Sequence, residues 1–377
     1  MNTKIPLDDE KYVEELHGKS LGLMNRACDS FLAGDLKEAA VLWRREANEG
    51  NSAAMERLGR CIQEGWGMNR APGFALKCYT RAAELGDVRA MSNLGCCFRD
   101  GMGVEKDAAK AVELFTKAAE LGNLDAMSDL GHCLFHGMGV EKDGHKAAEW
   151  FTKAAEMGHA IAMTNLGICF LIGMGVEKDG HKAVELFTKA AEMGYAIAMT
   201  GLGRCLLIGL GVEKNEVKAV ELFTKAAELG NCDAMRSLGV CYREATGVEK
   251  NDAKAAAWFT KAAKLGSPVA MTIIGACYHH GTGVEKDEAK AVELFTKAAK
   301  LGSLVAMRNL GLCYHLGTGV EKDEAKAVEW FTKAAELGDN IAMRRLAQCY
   351  RTGTGVEKDE TTAAEGHLAF GRKRKRS

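Results

Sequence analysis

The sequence predicts an all-α protein in which helix pairs are stacked as a solenoid, and two observations support that prediction. Close copies of one segment recur along the chain, for example AMRNLGLCYHLGTGVEKDEAKAVEWFTKAAELG from Ala306 to Gly338. A period of about 20 to 50 residues is typical of arrays whose units bury their apolar faces against their neighbours. We therefore expect one elongated array and not several globular domains. The copies are marked by nine methionines, each thirty-six residues from the next: Met55, Met91, Met127, Met163, Met199, Met235, Met271, Met307 and Met343.

The first part of each copy is predicted to be a helix. Counting from Met307, apolar or small residues lie at offsets 3, 4 and 7 (Leu310, Gly311 and Tyr314), which is the spacing of one helical face. Glycine inside a helix costs about 1 kcal/mol relative to alanine. The position of Gly311 is nevertheless glycine in eight copies, and Ala347 in the ninth. We predict that this glycine lets the first helix approach the second closely.

The second part of each copy is predicted to be a turn followed by another helix. Gly317 and Gly319 interrupt the apolar pattern. Asp323 then stands where an N-cap is expected, and other copies have Asp or Asn at that position. An amphipathic stripe that includes Phe331 follows. Gly338 stands where the end of a helix favours a residue with positive φ.

The pattern AMxxLGxCYxxGxGVEKDxxKAVELFTKAAELG resembles the Sel-one-like repeat, a relative of the tetratricopeptide repeat with a longer turn between its two helices. The resemblance extends from about Met55 to Ala363. It implies a right-handed superhelix of antiparallel helix pairs. Known members of the family are adaptors that hold protein complexes together. The resemblance therefore implies a non-enzymatic scaffold or adaptor that binds other proteins.

The repeats are predicted to lie between two different ends. Residues 1–18 form a polar lead-in, and residues 19–54 form a degenerate tetratricopeptide-like unit that caps the array. Residues 55–370 contain nine repeats, of which the last is truncated, and residues 371–377 form a basic tail. We expect one side of the capping unit to face the first full repeat, through Ala39, Ala40, Leu42 and Trp43.

Composition and charge indicate in which cellular compartment the protein is found and which classes of partner it does not attract. The 50 Lys and Arg residues balance 51 Asp and Glu residues, so no global field attracts nucleic acid or an anionic membrane. No apolar run approaches the roughly 18 residues of a membrane-spanning helix. The first residues, MNTKIPLDDEKYVEELHGKS, lack the hydrophobic segment of a signal peptide. We expect a cytoplasmic or nuclear protein, or one found in both, that is not secreted and has no membrane partner.

Most of the cysteines share one position in the first helix of the repeat. Neighbouring copies of that position should lie about 9–10 Å apart, as packed helices do, and a disulfide tolerates only about 7 Å between Cα atoms. We therefore predict buried thiols that act as small apolar groups. Some secreted relatives join helices by disulfides, but this chain has alanines and the methionine at those places. The nine cysteines are Cys61, Cys97, Cys133, Cys169, Cys205, Cys241, Cys277, Cys313 and Cys349.

Resemblance to tetratricopeptide-like superhelices implies that the first helices line a concave groove. Offsets −2, 1, 2, 5, 8 and 9 from the methionine are not needed for packing, and they differ most between copies. A binding surface explains this variation, and so does drift at merely solvated positions. In the middle copies these offsets hold Ile161, Thr164, Ile168, Leu171, Ile172, Ile197, Leu207 and Ile208. Such an apolar patch is typical of an interaction site, with packing within the array as the alternative.

The same offsets are basic in the later copies. They hold Arg204, Arg243, His279, His280, Arg308, His315, Arg344, Arg345 and Arg351. We therefore expect the groove to bind a segment of a protein partner that has an apolar anchor and an acidic stretch. We do not expect a small-molecule substrate.

The sequence shows no set of residues that suggests catalysis. The turns GMGVEKD and GTGVEKD lack the preceding strand and the GK[ST] ending of a phosphate-binding loop. His132 with His136, and His279 with His315, supply only two ligands each, so we interpret them as solvated histidines and not as metal ligands. We predict no catalytic residues, no metal and no cofactor. The alternative enzymatic hypothesis is the β-lactamase-like hydrolase activity that has been assigned to some secreted relatives.

The basic tail allows three interpretations. It could be a nuclear-import signal, a solvated charged terminus, or a contact for nucleic acid or acidic lipid. The last of these would make the chain a nuclear factor associated with nucleic acid, which is the third functional hypothesis. The tail consists of Arg372, Lys373, Arg374, Lys375 and Arg376.

Overall fold

The computed structural model describes residues 22–363, and their regular secondary structure is entirely α-helical. The predicted lead-in at residues 1–18 and the basic tail lie outside these residues. Between residues 22 and 359 the structure contains nineteen helices, and a further helix begins at residue 360. They are α1 (Leu23–Leu32), α2 (Leu36–Asn48), α3 (Ser52–Glu64), α4 (Pro72–Glu84), α5 (Val88–Asp100), α6 (Ala108–Glu120), α7 (Leu124–His136), α8 (Gly144–Glu156), α9 (Ala160–Ile172), α10 (Gly180–Glu192), α11 (Ala196–Ile208), α12 (Glu216–Glu228), α13 (Cys232–Glu244), α14 (Asp252–Lys264), α15 (Pro268–His280), α16 (Glu288–Lys300), α17 (Leu304–Leu316), α18 (Glu324–Glu336) and α19 (Asn340–Thr352).

The helices belong to two compact units, which divide between Ala190 and Ala191. The first unit contains α1 to α9 and most of α10, and the second contains α11 to α19. Within each unit a helix packs against the next one along the chain, and consecutive first helices of the repeats also touch. The prediction of an all-α protein made of helix pairs is therefore confirmed.

Both helices of a repeat begin and end where the sequence predicts. Asp107, at the start of α6, accepts a hydrogen bond of 2.9 Å from the backbone N–H of Lys110, and Asp323 caps α18 in the same way. Gly101 ends α5 in the left-handed conformation, with φ of 76°. Ala245 ends α13 with φ of 57° and the same backbone bond to a cysteine carbonyl, so its methyl group does not displace the turn.

The helical glycine of each repeat lies against an aromatic ring of the second helix. A Cβ atom on Gly311 would lie 2.6 Å from Cε1 of Phe331, closer than real Cβ atoms come to a neighbour. The same contact recurs in the other seven glycine-containing copies, with Tyr79 in place of phenylalanine against Gly59. The predicted close approach of the two helices is confirmed, because an aromatic side chain occupies the space that a Cβ would need.

A second glycine makes the contact between consecutive repeats. Gly319 has φ of 71°, and a Cβ there would lie 2.3 Å from the backbone oxygen of Glu288 in the preceding repeat. The turn of one repeat thus rests on the backbone at the start of the previous second helix. Alanines on the second helices, such as Ala327 and Ala334, are fully buried.

The core consists of the first-helix methionine, leucine and cysteine positions together with the aromatic ring and the second-helix alanines. All nine repeat cysteines are buried, as predicted. Burial raises the pKa of Cys313 to about 11, so this thiol is protonated and behaves as an apolar group. In the pair formed by α1 and α2, Trp43 is fully buried and its ring centroid lies 5.3 Å from that of Phe31.

Candidate protein-binding face

One stripe of each first helix is left uncovered by the packing. On α9 it contains Ile161, Asn165, Ile168 and Ile172, which lie at offsets −2, 2, 5 and 9 from the repeat methionine. This is the spacing of a single helical face. Offset 8 lies beside the stripe. We call offsets −2, 2, 5, 8 and 9 of the repeats the first-helix face; these positions are exposed or half-buried in every copy apart from Arg57.

The prediction that offset 1 also lines the groove is wrong for Thr164. That side chain is only 2% exposed, and its hydroxyl donates a 2.8 Å hydrogen bond to the carbonyl of Ala160. The physical reason is that offset 1 points toward the next helix pair. Thr200 donates to Oδ1 of the N-cap Asn231 in the following repeat, at 3.3 Å. Serine or threonine at this offset is buried in five copies: Ser92, Ser128, Thr164, Thr200 and Thr272.

Two of the predicted basic groove residues are paired with carboxylates within the protein. Arg308, also at offset 1, donates to the Asp339 carboxylate at 2.6 Å, and its side chain is only 18% exposed. His315 lies at offset 8, and its Nδ1 is 2.6 Å from Oε2 of Glu324. A charge that is paired in this way has less attraction left for a partner. The face is therefore less basic than the sequence alone suggests.

Arg204 and Arg243 also have acidic neighbours. Arg243 donates to Glu244 at 2.9 Å, and its guanidinium lies over the ring of Phe259. Arg204 is 3.7 Å from Asp233 in a more exposed ion pair. Both arginines belong to the first-helix face, but their positive charge is partly balanced.

The predicted apolar residues lie on the first-helix face of two helices, one in each unit. In the first unit, α9 presents Ile161, Ile168, Leu171 and Ile172, all at least partly exposed. In the second unit, α11 presents Ile197, Leu207 and Ile208 in the same manner. Each helix therefore offers its own exposed apolar stripe.

The first-helix face of α15, α17 and α19 combines apolar and basic residues and contains no carboxylate. Its fifteen positions hold Val269, Ile273, Ala276, His279, His280, Val305, Asn309, Leu312, His315, Leu316, Ile341, Arg345, Gln348, Arg351 and Thr352. Arg344, Arg345 and Arg351 are exposed. Between residues 22 and 363 no carboxylate forms an ion pair with these three arginines. Arg345 and Arg351, which belong to the face, therefore carry positive charge without an ion-pair partner among the described residues, and so does Arg344, which stands at offset 1 outside the face.

The first three repeats carry a polar network that the sequence reasoning missed. Glu56 and Arg57 are almost fully buried, and Asn93 donates to Glu56 at 2.7 Å. Burial opposes ionisation of Glu56, but Arg57, Arg89 and Arg60 outweigh it and hold the pKa of Glu56 below its ordinary value. The sequence signal was that Glu56 is the one acidic residue at offset 1 in the nine copies, directly followed by Arg57 at offset 2.

A second polar group follows on α5 and α7. Arg99 donates to Asp129 at 2.6 Å and to Asp100 at 2.9 Å, and the Cys96 thiol donates to Asp129 at 3.6 Å. Burial, together with the charge of Asp129, raises the pKa of Cys96 well above its ordinary value. The thiol is therefore protonated and is not an activated nucleophile. The polar groups of this region form hydrogen bonds with one another, so fewer donors and acceptors remain for a ligand.

The histidine pairs do not assemble into a metal site in the part of the chain that the structure describes. No group of three His, Cys, Asp or Glu residues able to hold a metal ion occurs there. The rings of His132 and His136 lie 4.5 Å apart, and His315 is engaged by Glu324. None of the helices between residues 22 and 363 has both the length and the apolar character needed to span a bilayer.

A cavity of about 200 Å³ opens on the first-helix face between α15 and α17. Its lining is mostly apolar, with two histidines, an asparagine and a threonine among the lining residues. It is lined by Ala276, His279, His280, Phe295, Asn309, Leu312, Cys313, Leu316 and Thr318.

Comparison with known proteins identifies the repeat. The Sel1 repeat profile matches nine consecutive segments, which are residues 52–87, 88–123, 124–159, 160–195, 196–231, 232–267, 268–303, 304–339 and 340–365. Each of the nine segments begins three residues before a repeat methionine. No curated protein matches the chain significantly in sequence.

Two solved structures are similar over most of the chain. A protective antigen of uropathogenic Escherichia coli with an SLR fold is 33% identical, with a TM-score of 0.60, over 98% of this chain and 80% of the antigen. A Sel1 repeat protein from Oxalobacter formigenes is 32% identical, with a TM-score of 0.58, over 81% of this chain and 89% of that protein. The nine profile matches and these two structures agree with the helix pairs described above. The chain belongs to the Sel1 repeat family.

Proposed function

We propose that this chain is a non-enzymatic scaffold that binds segments of partner proteins along its first-helix face. Sel1 repeat proteins are generally protein-interaction scaffolds. The observation that carries the proposal is the contrast between the buried, repeated frame and the variable stripe that the packing leaves uncovered. Exposed apolar patches on proteins tend to mark interaction sites.

The proposed partner segment combines apolar and acidic residues, because the face of α15, α17 and α19 is apolar and basic. Exposed apolar groups there include Leu316, which is 65% exposed. Arg345 and Arg351 supply positive charge without a described acidic partner. Complementary charge favours rapid association and excludes basic partners. We place the protein in the cytoplasm or the nucleus, as the sequence predicts.

The two alternative functions lack a supporting observation. The family match indicates no catalytic family, and the half-buried Cys96 has the raised pKa of an unreactive thiol. The nucleic-acid hypothesis depends on the basic tail, which lies outside the described residues. A turnover assay with β-lactam substrates and the salt dependence of RNA binding with and without the tail would expose either activity.

The proposal is tested by affinity capture from the native cell type with two triple variants. The face variant carries Ile168→Glu, Ile172→Glu and Leu316→Glu, at three exposed positions of the first-helix face. The control carries Leu121→Glu, Leu229→Glu and Leu301→Glu, at three exposed positions after the second helices. Both variants add the same charge, and both are checked for helical content and melting temperature.

We expect the wild type and the control to capture the same specific proteins, and the face variant to lose them. If the control loses its partners and the face variant keeps them, binding occurs at the ends of the second helices and the proposal is wrong. If all three proteins capture the same set, the first-helix face is again excluded as the binding surface.

A further inference from the structure

We infer that the cavity between α15 and α17 is an anchor pocket for one apolar side chain of an acidic peptide segment. This inference rests on the proposed function and deepens it, because it assigns one subsite and the chemistry of its occupant. The cavity lies on the first-helix face of the second unit, and its lining residues belong to that unit alone.

The cavity exists because Ala276 is small. Offset 5 projects from the first-helix face toward the neighbouring repeat, and Ala276 is the smallest residue at this offset in the nine copies. A larger side chain there would occupy the space between α15 and α17. The other eight copies have Arg60, Cys96, His132, Ile168, Arg204, Val240, Leu312 and Gln348.

The size and lining of the cavity fit a leucine or phenylalanine side chain. Phe295 and Cys313 come from the buried core, and Leu312 and Leu316 line it from α17. An apolar cavity of about 150 Å³ in another protein binds a benzene molecule, and this cavity measures about 200 Å³. Apolar anchors in desolvated pockets supply much of the free energy of many interfaces.

One residue of the cavity lining, His279, has a buried polar atom without a partner. Nδ1 of His279 is buried and makes no hydrogen bond within residues 22–363. A buried polar group without a hydrogen bond costs about 1–3 kcal/mol. A peptide whose anchor enters the cavity brings backbone N–H and C=O groups close to this atom and can satisfy it. Asn309 offers a second polar group in the lining.

The face around the cavity carries no carboxylate that would repel an acidic segment. His280 is exposed, and its ring lies 4.7 Å from that of His279. Burial, together with the neighbouring His280, lowers the pKa of His279, so this ring adds no positive charge at neutral pH. The nearby carboxylate of Glu288 is paired with Lys286 at 2.7 Å. The face of α15, α17 and α19 has no carboxylate of its own. Acidic residues beside the anchor would therefore meet no carboxylate of the face, and the exposed Arg345 and Arg351 of α19 supply positive charge on the same face.

The test uses a displayed library of random twelve-residue peptides selected on the full-length wild-type chain. Selected peptides are synthesised with a fluorescent label, and their dissociation constants are measured for the wild type, Ala276→Ile and Val240→Ile. The first substitution fills the cavity. The second adds one carbon at the same offset of the preceding repeat, outside the cavity lining. Each peptide is also made with its apolar anchor replaced by alanine.

We expect peptides that share one large apolar residue next to Asp or Glu. Ala276→Ile should weaken their binding at least tenfold, and Val240→Ile should change it less than twofold. Replacing the anchor by alanine should weaken binding to the wild type by a similar factor and should have little further effect on Ala276→Ile, because the two changes remove the same contact.

Three other outcomes would each contradict a different part of this inference. If the wild type selects no peptides, the proposed function fails together with the pocket. If acidic peptides bind but Ala276→Ile binds them equally well, the pocket is wrong and the proposed function survives. If the wild-type chain self-associates in sedimentation experiments and Ala276→Ile is monomeric, the occupant is a second copy of the chain and the peptide assignment is overturned.

Discussion

Gly311 on α17 lies directly beneath the ring of Phe331 on α18, with no room for a Cβ atom between them. A Cβ would lie 2.6 Å from Cε1 of the ring. The buried ring in turn fills the core between the two helices. The cost of glycine within a helix, about 1 kcal/mol, is therefore offset by burial of an aromatic side chain that a larger residue would displace.

Substituting Gly311 by leucine should destabilise the protein. Overpacking of a core costs about 1–3 kcal/mol, and we expect the upper end of that range because the ring is closely surrounded. Gly73 provides the matched control, since a Cβ atom on this helical glycine would meet no other atom within 4 Å. Thermal melting should show a lower Tm for Gly311→Leu and no loss for Gly73→Leu. Equal melting temperatures for Gly311→Leu and the wild type would contradict the packing role of the glycine.

Ala245 is a site where one substitution should stabilise the protein. It has φ of 57°, a left-handed conformation in which residues other than glycine are strained by about 1–2 kcal/mol. Ala245→Gly should recover part of that strain, and we expect about 1 kcal/mol of added stability in denaturant unfolding. Gly209, with φ of 70° at the same point of another repeat, provides the reverse test, because Gly209→Ala should cost a similar amount. A loss of stability in Ala245→Gly would contradict the backbone strain that we assign to Ala245.

The buried pair of Glu56 and Arg57 should make stability depend on acid pH. The pKa of Glu56 is lowered in the folded state, so the unfolded state takes up its proton first as the pH falls. The stabilisation is therefore complete above the ordinary carboxyl pKa of about 4.3 and is lost as the pH falls through the folded value.

The measurement compares unfolding free energies of the wild type and Glu56→Gln from about pH 7 to about pH 3. Removing one partner of a buried ion pair costs about 3–5 kcal/mol, so we expect a difference of that order at neutral pH that shrinks as the solution becomes acidic. Glu113, an exposed glutamate of α6, is the control, and Glu113→Gln should change stability by less than about 0.5 kcal/mol. A difference that stays constant with pH would contradict ionisation of Glu56 in the folded state.

Positive charge on α19 should contribute to binding of acidic segments. Arg345→Glu with Arg351→Glu reverses two exposed charges of the first-helix face. We expect at least a tenfold loss of affinity for an acidic peptide in low salt, and a weaker dependence of the remaining affinity on salt. The control replaces the exposed Lys110 and Lys218 of second helices by glutamate. Unchanged affinity and salt dependence in the arginine variant would remove the acidic half of the partner prediction.

The sequence was sufficient to predict the features that recur in every repeat. It was insufficient to predict the features that depend on contacts between helices and between repeats. The helix boundaries, the caps and the buried cysteines follow from local spacing, which is the same in every copy. The need for Gly311 could also be predicted, although the ring of Phe331 that requires it became evident only from the packing. Internal repetition is informative because each copy is independent evidence for the same local structure.

The candidate site was harder to predict because contacts between repeats decide which positions remain open. Offset 1 seemed free on a single helix, yet Thr164 is buried, and Arg308 reaches the N-cap residue Asp339 of the next repeat. The cavity depends on the small volume of Ala276 relative to two neighbouring helices. The spacing of residues within one repeat gives no information about the distance between neighbouring repeats. These features could therefore not be derived from periodicity alone.

Site-specific photo-crosslinking in the native cell would show which surface of the protein meets its partners. A photoreactive amino acid is placed at Leu316, which is 65% exposed on the first-helix face, and in a separate protein at Leu301, which is 56% exposed after a second helix. If the first-helix face binds partner proteins, light joins a partner to the chain from position 316 and not from position 301. Crosslinks from position 301 alone would place the partners outside the first-helix face and would overturn the proposed function.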